Sequence, residues 1–357
     1  MDQIRSTMNQ LLTLMVKQGA SDLHISTNSP PELRIDGELI PLKSDPLTSA
    51  QTRALCTSLL SEEQKKRFER ENELDFSFGL EDFARFRGNI FLQRGSVAGV
   101  FRYIPSRIKT FEELKLPPVM KYLANLPRGL VLVTGPTGSG KSTTLATLID
   151  HINKTYKKHI ITVEDPIEFL HRNQLSLINQ REIGSDTASY STAVRYILRQ
   201  DPDVVLLGEL RDKESIETAL TVAETGHLVL STLHTNSCAQ TINRIIDVFP
   251  ADQQEQIRTQ LSFVLEGVVC QQLIPNISGS GRSCAMEIMI STSGIRNMIR
   301  EDKVHMINST IAMSSSQGMQ SMNQSLCNLC KAQIISVEDA LAGTSDQIEL
   351  KKMLGIE

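Results

Sequence analysis

The sequence predicts an α/β protein in which a small α+β domain on an antiparallel sheet precedes a larger domain with a mainly parallel sheet and a helical C-terminal region. Three observations predict it. An apolar run, Leu130-Val131-Leu132-Val133, leads into Gly135-Pro136-Thr137-Gly138-Ser139-Gly140-Lys141-Ser142, and Thr143 to Asn153 carries a helical pattern behind it. Downstream, short apolar runs alternate with helical stretches, as in a parallel sheet wrapped by helices. Upstream, three consecutive strand-like segments follow one another as they do in an antiparallel sheet. A length of 357 residues also suits two domains, each with chain enough to bury a core.

In chain order, Ile4, Met8, Leu11, Leu12 and Met15 recur at helical spacing and open the chain with an amphipathic helix. Extended runs follow at Leu23–Thr27 and Glu32–Ile35, and Asp36-Gly37 is a hairpin turn leading into Glu38–Pro41. Ser61-Glu62-Glu63-Gln64 is a capping box that starts a second helix. Glu73–Phe78, Arg85–Gln93 and Val97–Ile104 are the three strands that complete a domain over residues 1–104. Pro105, Pro117 and Pro118 bracket a linker over 105–118, and 119–357 form the second domain. Its strands are read at Leu130–Thr134, Ile160–Val163, Val204–Leu207 and His227–Thr232, and its later helices at Gln253–Gln272, Gly294–Arg300 and Val337–Leu341.

Composition narrows the function. A formal net charge of −4, a pI near 6.0, 4% aromatic residues and no Trp give no basic, aromatic footprint for nucleic acid. No apolar stretch approaches the roughly 18 residues that span a bilayer, and the polar, amphipathic start has no secretory signal pattern, so an intracellular location is expected. Six cysteines are then expected to stay reduced. Cys327 and Cys330 form one C-x-x-C in an apolar helical pattern, and a zinc site needs two such pairs, so these are read as buried thiols.

The chemistry lies at the predicted strand ends. Residues 135–142 satisfy G-x-x-x-x-G-K-[ST]: glycines let backbone N–H groups curl around a polyphosphate, and the helix N-terminus adds positive potential beneath it. Lys141 then reaches the β- and γ-phosphates, and the Ser142 hydroxyl ligates Mg²⁺. Thr143 completes the binding run. Glu164-Asp165 breaks off a buried strand and is suited to orient an attacking water or Mg²⁺ ligands; without its position it reads as a solvated turn. Asp203-Val204-Val205-Leu206-Leu207-Gly208-Glu209 is an apolar strand ending in a carboxylate, a Walker B arrangement that brings Glu209 to the metal. Arg211 follows, equally readable as a surface partner of Asp212 or Glu214. His227 begins the next strand and His234 ends it, where it is placed to sense a γ-phosphate. Arg85, Arg87, Arg94 and Arg102 of the first domain are solvated strand residues or, alternatively, arginine fingers.

Together these segments resemble a known family. GPTGSGKST, ITVEDPIE, DPDVVLLGELRD and TGHLVLSTLHTN, in this order, are similar to the Walker A, Asp box, Walker B and His box of the type II/IV secretion ATPase superfamily. Ala20-Ser21-Asp22-Leu23-His24, Arg34-Ile35-Asp36-Gly37 and Arg85-Phe86-Arg87-Gly88-Asn89 look like its N-terminal PAS-like domain, and the resemblance implies a RecA-like P-loop ATPase domain behind it. Within the superfamily the pilus-retraction branch is nearest. The chain starts directly at the PAS-like domain and lacks a paired-Cys zinc insertion. Gly294-Ile295-Arg296-Asn297-Met298-Ile299-Arg300-Glu301 also looks like that branch's AIRNLIRE motif, with Gly294 for Ala and Met298 for Leu.

The resemblance implies an ATP- and Mg²⁺-dependent homohexamer at the cytoplasmic face of the inner membrane. It would push on a platform protein there, draw pilin out of a type IV pilus and so drive twitching motility, without nucleic acid. It implies Glu164 as the group that positions water, Glu209 acting through Mg²⁺, His234 more than His227 as the γ-phosphate sensor, and Arg87 and Arg102 as fingers with Arg94 in reserve. Residues 294–301 would transmit the work. Rival readings are an accessory retraction paralogue, an assembly or secretion ATPase, a RecA-like nucleic-acid translocase, and a nucleotide-binding regulator without turnover.

Overall fold

A computed structural model describes residues 2–35, 37–80, 84–104 and 107–356. The chain forms two compact units: residues up to Arg107 with Pro166–Leu170, and Ile108–Asp165 with His171–Glu357.

In the first unit α1 (Asp2–Lys17) is followed by β1 (Asp22–Ile25), β2 (Glu32–Ile35), β3 (Glu38–Pro41), α2 (Ser49–Thr57), α3 (Glu62–Glu71), β4 (Glu73–Leu80), β5 (Ala84–Gln93) and β6 (Ser96–Ile104). The strands form one sheet in the order β3-β2-β1-β6-β5-β4, antiparallel at every step. Met8, Leu12 and Met15, one apolar stripe of α1, are fully buried with Leu23, Leu33, Phe86, Ile90 and Phe101 of the sheet. The Ser61 capping box forms as the sequence predicts: its hydroxyl accepts the Gln64 N–H and the Gln64 side chain accepts the Ser61 N–H. The helix it starts ends on Asn72 in the left-handed region. α2, not predicted, has the same kind of cap at Thr48 and Gln51. Asp36 of the expected hairpin turn lies outside the described residues, as do Pro105 and Ser106 of the expected linker; from Ile108 onward that stretch groups with the second unit, where Phe111 is buried in the core.

The second unit contains α4 (Val119–Ala124), β7 (Gly129–Thr134), α5 (Lys141–Thr155), β8 (His159–Glu164), β9 (Leu177–Glu182), α6 (Tyr190–Ile197), β10 (Val204–Leu207), α7 (Lys213–Glu224) and β11 (Leu228–Leu233). There follow α8 (Cys238–Asp247), α9 (Ala251–Val264), β12 (Leu265–Pro275), β13 (Arg282–Ile290), α10 (Ser293–Arg300), α11 (Ile307–Met313), α12 (Met322–Lys331), α13 (Val337–Gly343) and α14 (Gln347–Leu354). The seven-stranded sheet has the order β13-β12-β7-β11-β10-β8-β9 and is parallel except at the β12–β13 edge. The central strands β7, β10 and β11 are buried along their whole length, so they appear in the sequence as unbroken apolar runs, and helices cover both faces with separate cores.

The helix expected over Gln253–Gln272 is corrected here: it stops at Val264, and Leu265 starts a strand. Leu265 to Cys270 is buried almost throughout, so it shows no alternation, and an apolar run continuous with a helix reads as more helix despite Gly267. Cys327 is buried and Cys330 half-buried, and burial holds the thiols of Cys56 and Cys270 up at about 12. Among the described residues no group of three or more His, Cys, Asp or Glu is placed to hold a metal ion.

Candidate functional site

Parallel register brings four segments to one edge of the second sheet. Leu207 stands opposite Val163 and Ser231, and Leu233 stands opposite Thr134. The next residues on these neighbouring strands are Gly208-Glu209, Glu164, His234 and Gly135. Short bonds lock the strand ends together: Gly208 N–H donates to Val163 O at 2.8 Å, Thr232 Oγ1 to Gly208 O at 2.8 Å, and Gly135 N–H to Leu233 O at 3.3 Å.

The glycine loop leaves β7 in a conformation that needs glycine. Gly135 has φ 137°, and a Cβ there would come 2.3 Å from Gln271 O of β12. Gly138 and Gly140 follow with φ 78° and 91°, and Gly140 is the cap from which α5 begins at Lys141, two residues earlier than predicted. Pro136, Thr137 and Gly138 are exposed, Ser139 is buried, and Ser142 and Thr143 are half-buried in the first turn of α5. Lys141 Nζ donates to Gly135 O at 2.8 Å and Pro136 O at 3.1 Å, so its ammonium is drawn in over the loop. The Ser139 hydroxyl is buried with no hydrogen-bond partner among the described residues. A lysine ammonium, a helix N-terminus, an unsatisfied hydroxyl and the Ser142 hydroxyl suit a polyphosphate, and the hydroxyl with nearby carboxylates is the hard-oxygen donor set of Mg²⁺.

Three carboxylates face this loop's edge in different settings. Glu164, the last residue of β8, is 9% exposed; Thr162 Oγ1 donates to its Oε1 at 2.7 Å and Gln180 Nε2 at 3.2 Å. Asp165, next in the chain, is exposed. Glu209 is gripped from both sides: Arg211 Nε donates to Oε2 at 2.8 Å, and His234 Nε2 lies 3.2 Å from Oε1. Arg211 thus belongs to Glu209 and not to Asp212, which caps α7, and the hydrogen bond to Glu209 holds its guanidinium firmly charged.

Tyr190, the first residue of α6, is a member of this cluster that the sequence reading missed. A Cβ on Gly208 would come 2.9 Å from its hydroxyl, so glycine before Glu209 makes room for the ring. Burial, then the charge of Asp165, push the Tyr190 hydroxyl well above the usual tyrosine range, with Glu164 and Glu209 adding to this and Arg211 opposing it. Tyr190 therefore stays a neutral donor. No short-range motif announces it, because it reaches the site from a helix two elements after β8.

Several predicted residues lie elsewhere. His227 sits at the amino end of β11, the opposite edge of the sheet, where its Nδ1 is 3.0 Å from Thr225 Oγ1; the structure does not bring it to the cluster. In the first unit Ser77, Arg87, Arg102, Asp22 and Arg34 stand directly opposite one another on five neighbouring strands and so share one face. Arg102 Nε donates to the buried Asp22 at 2.7 Å, while Arg87 is exposed with Asp75 4.0 Å away. Arg94 is in the β5–β6 turn with Gly95, both with positive φ. Of the 294–301 segment, Ile295 and Ile299 are buried, Met298 is half-buried, and Gly294, Asn297 and Glu301 are exposed. Arg296 donates to Ser262 O and Phe263 O, in the last turn of α9, and to Glu266 Oε1 at 2.8 Å, and Arg300 lies over the Phe263 ring.

Comparison with known proteins places this arrangement. The family described as type II/IV secretion system protein matches residues 1–341. The type IV pilus retraction ATPase PilT of Pseudomonas aeruginosa is 50% identical over 333 residues, 93% of this chain and 96% of that protein. The twitching motility protein of Neisseria gonorrhoeae is 45% identical over 335 residues, 94% of this chain and 89% of that protein. Among solved structures, the pilus retraction motor PilT with bound ADP agrees with a TM-score of 0.91 at 47% identity, covering 96% of this chain and 98% of the other. With a match running through both sheets and every strand end of the site, this chain belongs to the type II/IV secretion system protein family.

Proposed function

We propose that this chain is the ATP-hydrolysing motor that powers type IV pilus retraction, and with it twitching motility. One observation carries the reading: the glycine loop, Glu164 and the Arg211–Glu209–His234 cluster meet at one sheet edge in a chain 50% identical to a retraction ATPase over 93% of its length. In this reading the loop amides and Lys141 hold the β- and γ-phosphates, giving up the two loop carbonyls that Lys141 now contacts. Ser142 and Glu209 would hold Mg²⁺, directly or through water, where it would neutralise phosphate charge. Glu164 aligns water for in-line attack. His234, with Nε2 3.2 Å from Glu209 Oε1 and next to β11, reports the γ-phosphate to that strand. Arg87 and Arg102 add positive charge in the transition state, an effect worth roughly 10³-fold or more in rate for such groups. The working unit is a homohexamer that acts from the cytoplasmic face of the inner membrane on a platform protein, and indirectly on pilin. Among the described residues no helix is long and apolar enough to cross a membrane, which fits attachment through that partner.

The test has a biochemical and a cellular arm. Purified protein is expected to hydrolyse ATP only with Mg²⁺. Glu164→Gln should abolish turnover by at least about 10²-fold while keeping ATP binding. A strain without the protein should carry excess pili and fail to twitch. Bald cells, or turnover that needs DNA or RNA, would rule out the retraction reading.

A further inference from the structure

At the β8–β9 edge of the second sheet, Glu164 also receives a contact from Gln180, a residue outside the catalytic boxes. β8 and β9 run parallel with Thr162 opposite Gln180 and Glu164 opposite Glu182. Thr162 Oγ1 and Gln180 Nε2 both donate to Glu164 Oε1, at 2.7 Å and 3.2 Å. The other end of the Gln180 amide, Oε1, accepts the backbone N–H of His171 at 2.8 Å. A backbone N–H can only donate, so this bond fixes how the amide is turned: oxygen toward His171, NH₂ toward the carboxylate.

We propose that Gln180 is a positioning residue for hydrolysis: its amide, clamped by the His171 N–H, sets the orientation and the ionised state of the Glu164 carboxylate. The proposal rests on the reading of Glu164 as the group that aligns water. Glu164 is 9% exposed, so little solvent is available to stabilise its charge, and donated hydrogen bonds replace that solvation. Two donors converging on one oxygen also fix the plane of the carboxylate and hence the direction in which Oε2 faces. Neither effect belongs to the strand alone. Thr162 supplies one donor from the same strand, and Gln180 supplies the second from the neighbouring strand, where His171 holds it against rotation. A mispositioned base in such a site costs rate without costing nucleotide affinity, because the triphosphate is held by the glycine loop.

Three variants test this in the full-length protein with MgATP: Gln180→Ala, Gln180→Glu and Glu164→Gln. Gln180→Ala is expected to lower kcat roughly 10–100-fold while the Kd for ATP stays within about twofold. Gln180→Glu keeps the shape and the oxygen facing His171 but turns a negative charge toward Glu164. This disfavours the Glu164 carboxylate, so the acidic limb of the kcat–pH profile should move to higher pH by about one unit or more. Wild-type kcat in Gln180→Ala, or an acidic limb in Gln180→Glu that coincides with wild type, overturns the proposal. So does a loss of ATP affinity that accounts for the whole loss of rate. Glu164→Gln separates the two layers: if it still hydrolyses ATP, the reading of Glu164 itself fails. If it is inactive and Gln180→Ala is unimpaired, only the role of Gln180 fails.

Discussion

Replacing Gly135 by alanine asks the most of a single methyl group. The residue has φ 137° and its new Cβ would lie 2.3 Å from Gln271 O, a backbone atom of a neighbouring strand that has no rotamer to move into. Backbone strain in this region and the clash together should destabilise the protein by at least about 2 kcal/mol and distort the loop. Unfolding in denaturant and ATP binding should both register the change, whereas alanine at the exposed Gly294, whose Cβ would meet nothing nearer than 3.7 Å, should leave both intact. Residues of this kind are legible in a sequence because the loop carries its chemistry locally. Glu164, Glu209 and His234 are legible as candidates for a similar reason: each ends an apolar strand or follows it by one or two residues. Tyr190 and Gln180 were not found. Each comes to the cluster from an element whose place is set by sheet order, and no spacing along the chain records that β9 lies beside β8.

At the scale of elements, α10 and the α9–β12 junction belong together. α9 ends at Val264 without a glycine, and the carbonyls of Ser262 and Phe263 are satisfied by Arg296 from α10, which also pairs with Glu266. This is one reason the residues past Val264 read as more helix: apart from Gly267, the group that satisfies the helix end is a side chain some thirty residues away. Arg296→Ala removes a charged donor from two helix-end carbonyls and leaves the partly buried Glu266 unpaired. The expected cost is about 2 kcal/mol, seen as a lower denaturation midpoint, with Arg296→Lys recovering only part because an ammonium cannot match the guanidinium fork. A variant as stable as wild type would show that α9 is terminated by β12 pairing alone. The elements that were legible, such as the Ser61 helix and the strands β7, β8, β10 and β11, are those whose signals are local caps or uninterrupted burial.

At the scale of the whole molecule, each unit packs on its own set of buried residues. Met8, Leu12, Phe86 and Phe101 belong to one, and the strands β7, β10 and β11 with their covering helices to the other. The glycine loop, Glu164, Glu209 and His234 all fall in the second unit. Two separately packed units predict two calorimetric transitions, because cooperativity extends only as far as shared packing. ADP binding should then stabilise the second unit's transition by about 2.7 kcal/mol at a ligand concentration 100 times Kd, the amount that mass action dictates for one site. Lys141→Ala should remove that increment. Phe101→Ala identifies the other transition: truncating a fully buried ring costs about 3–5 kcal/mol and should lower the first unit's transition alone. A single transition that moves as one body under both changes would show instead that the chain folds as one cooperative whole. ADP binding would then stabilise the first unit as much as the unit that holds the loop.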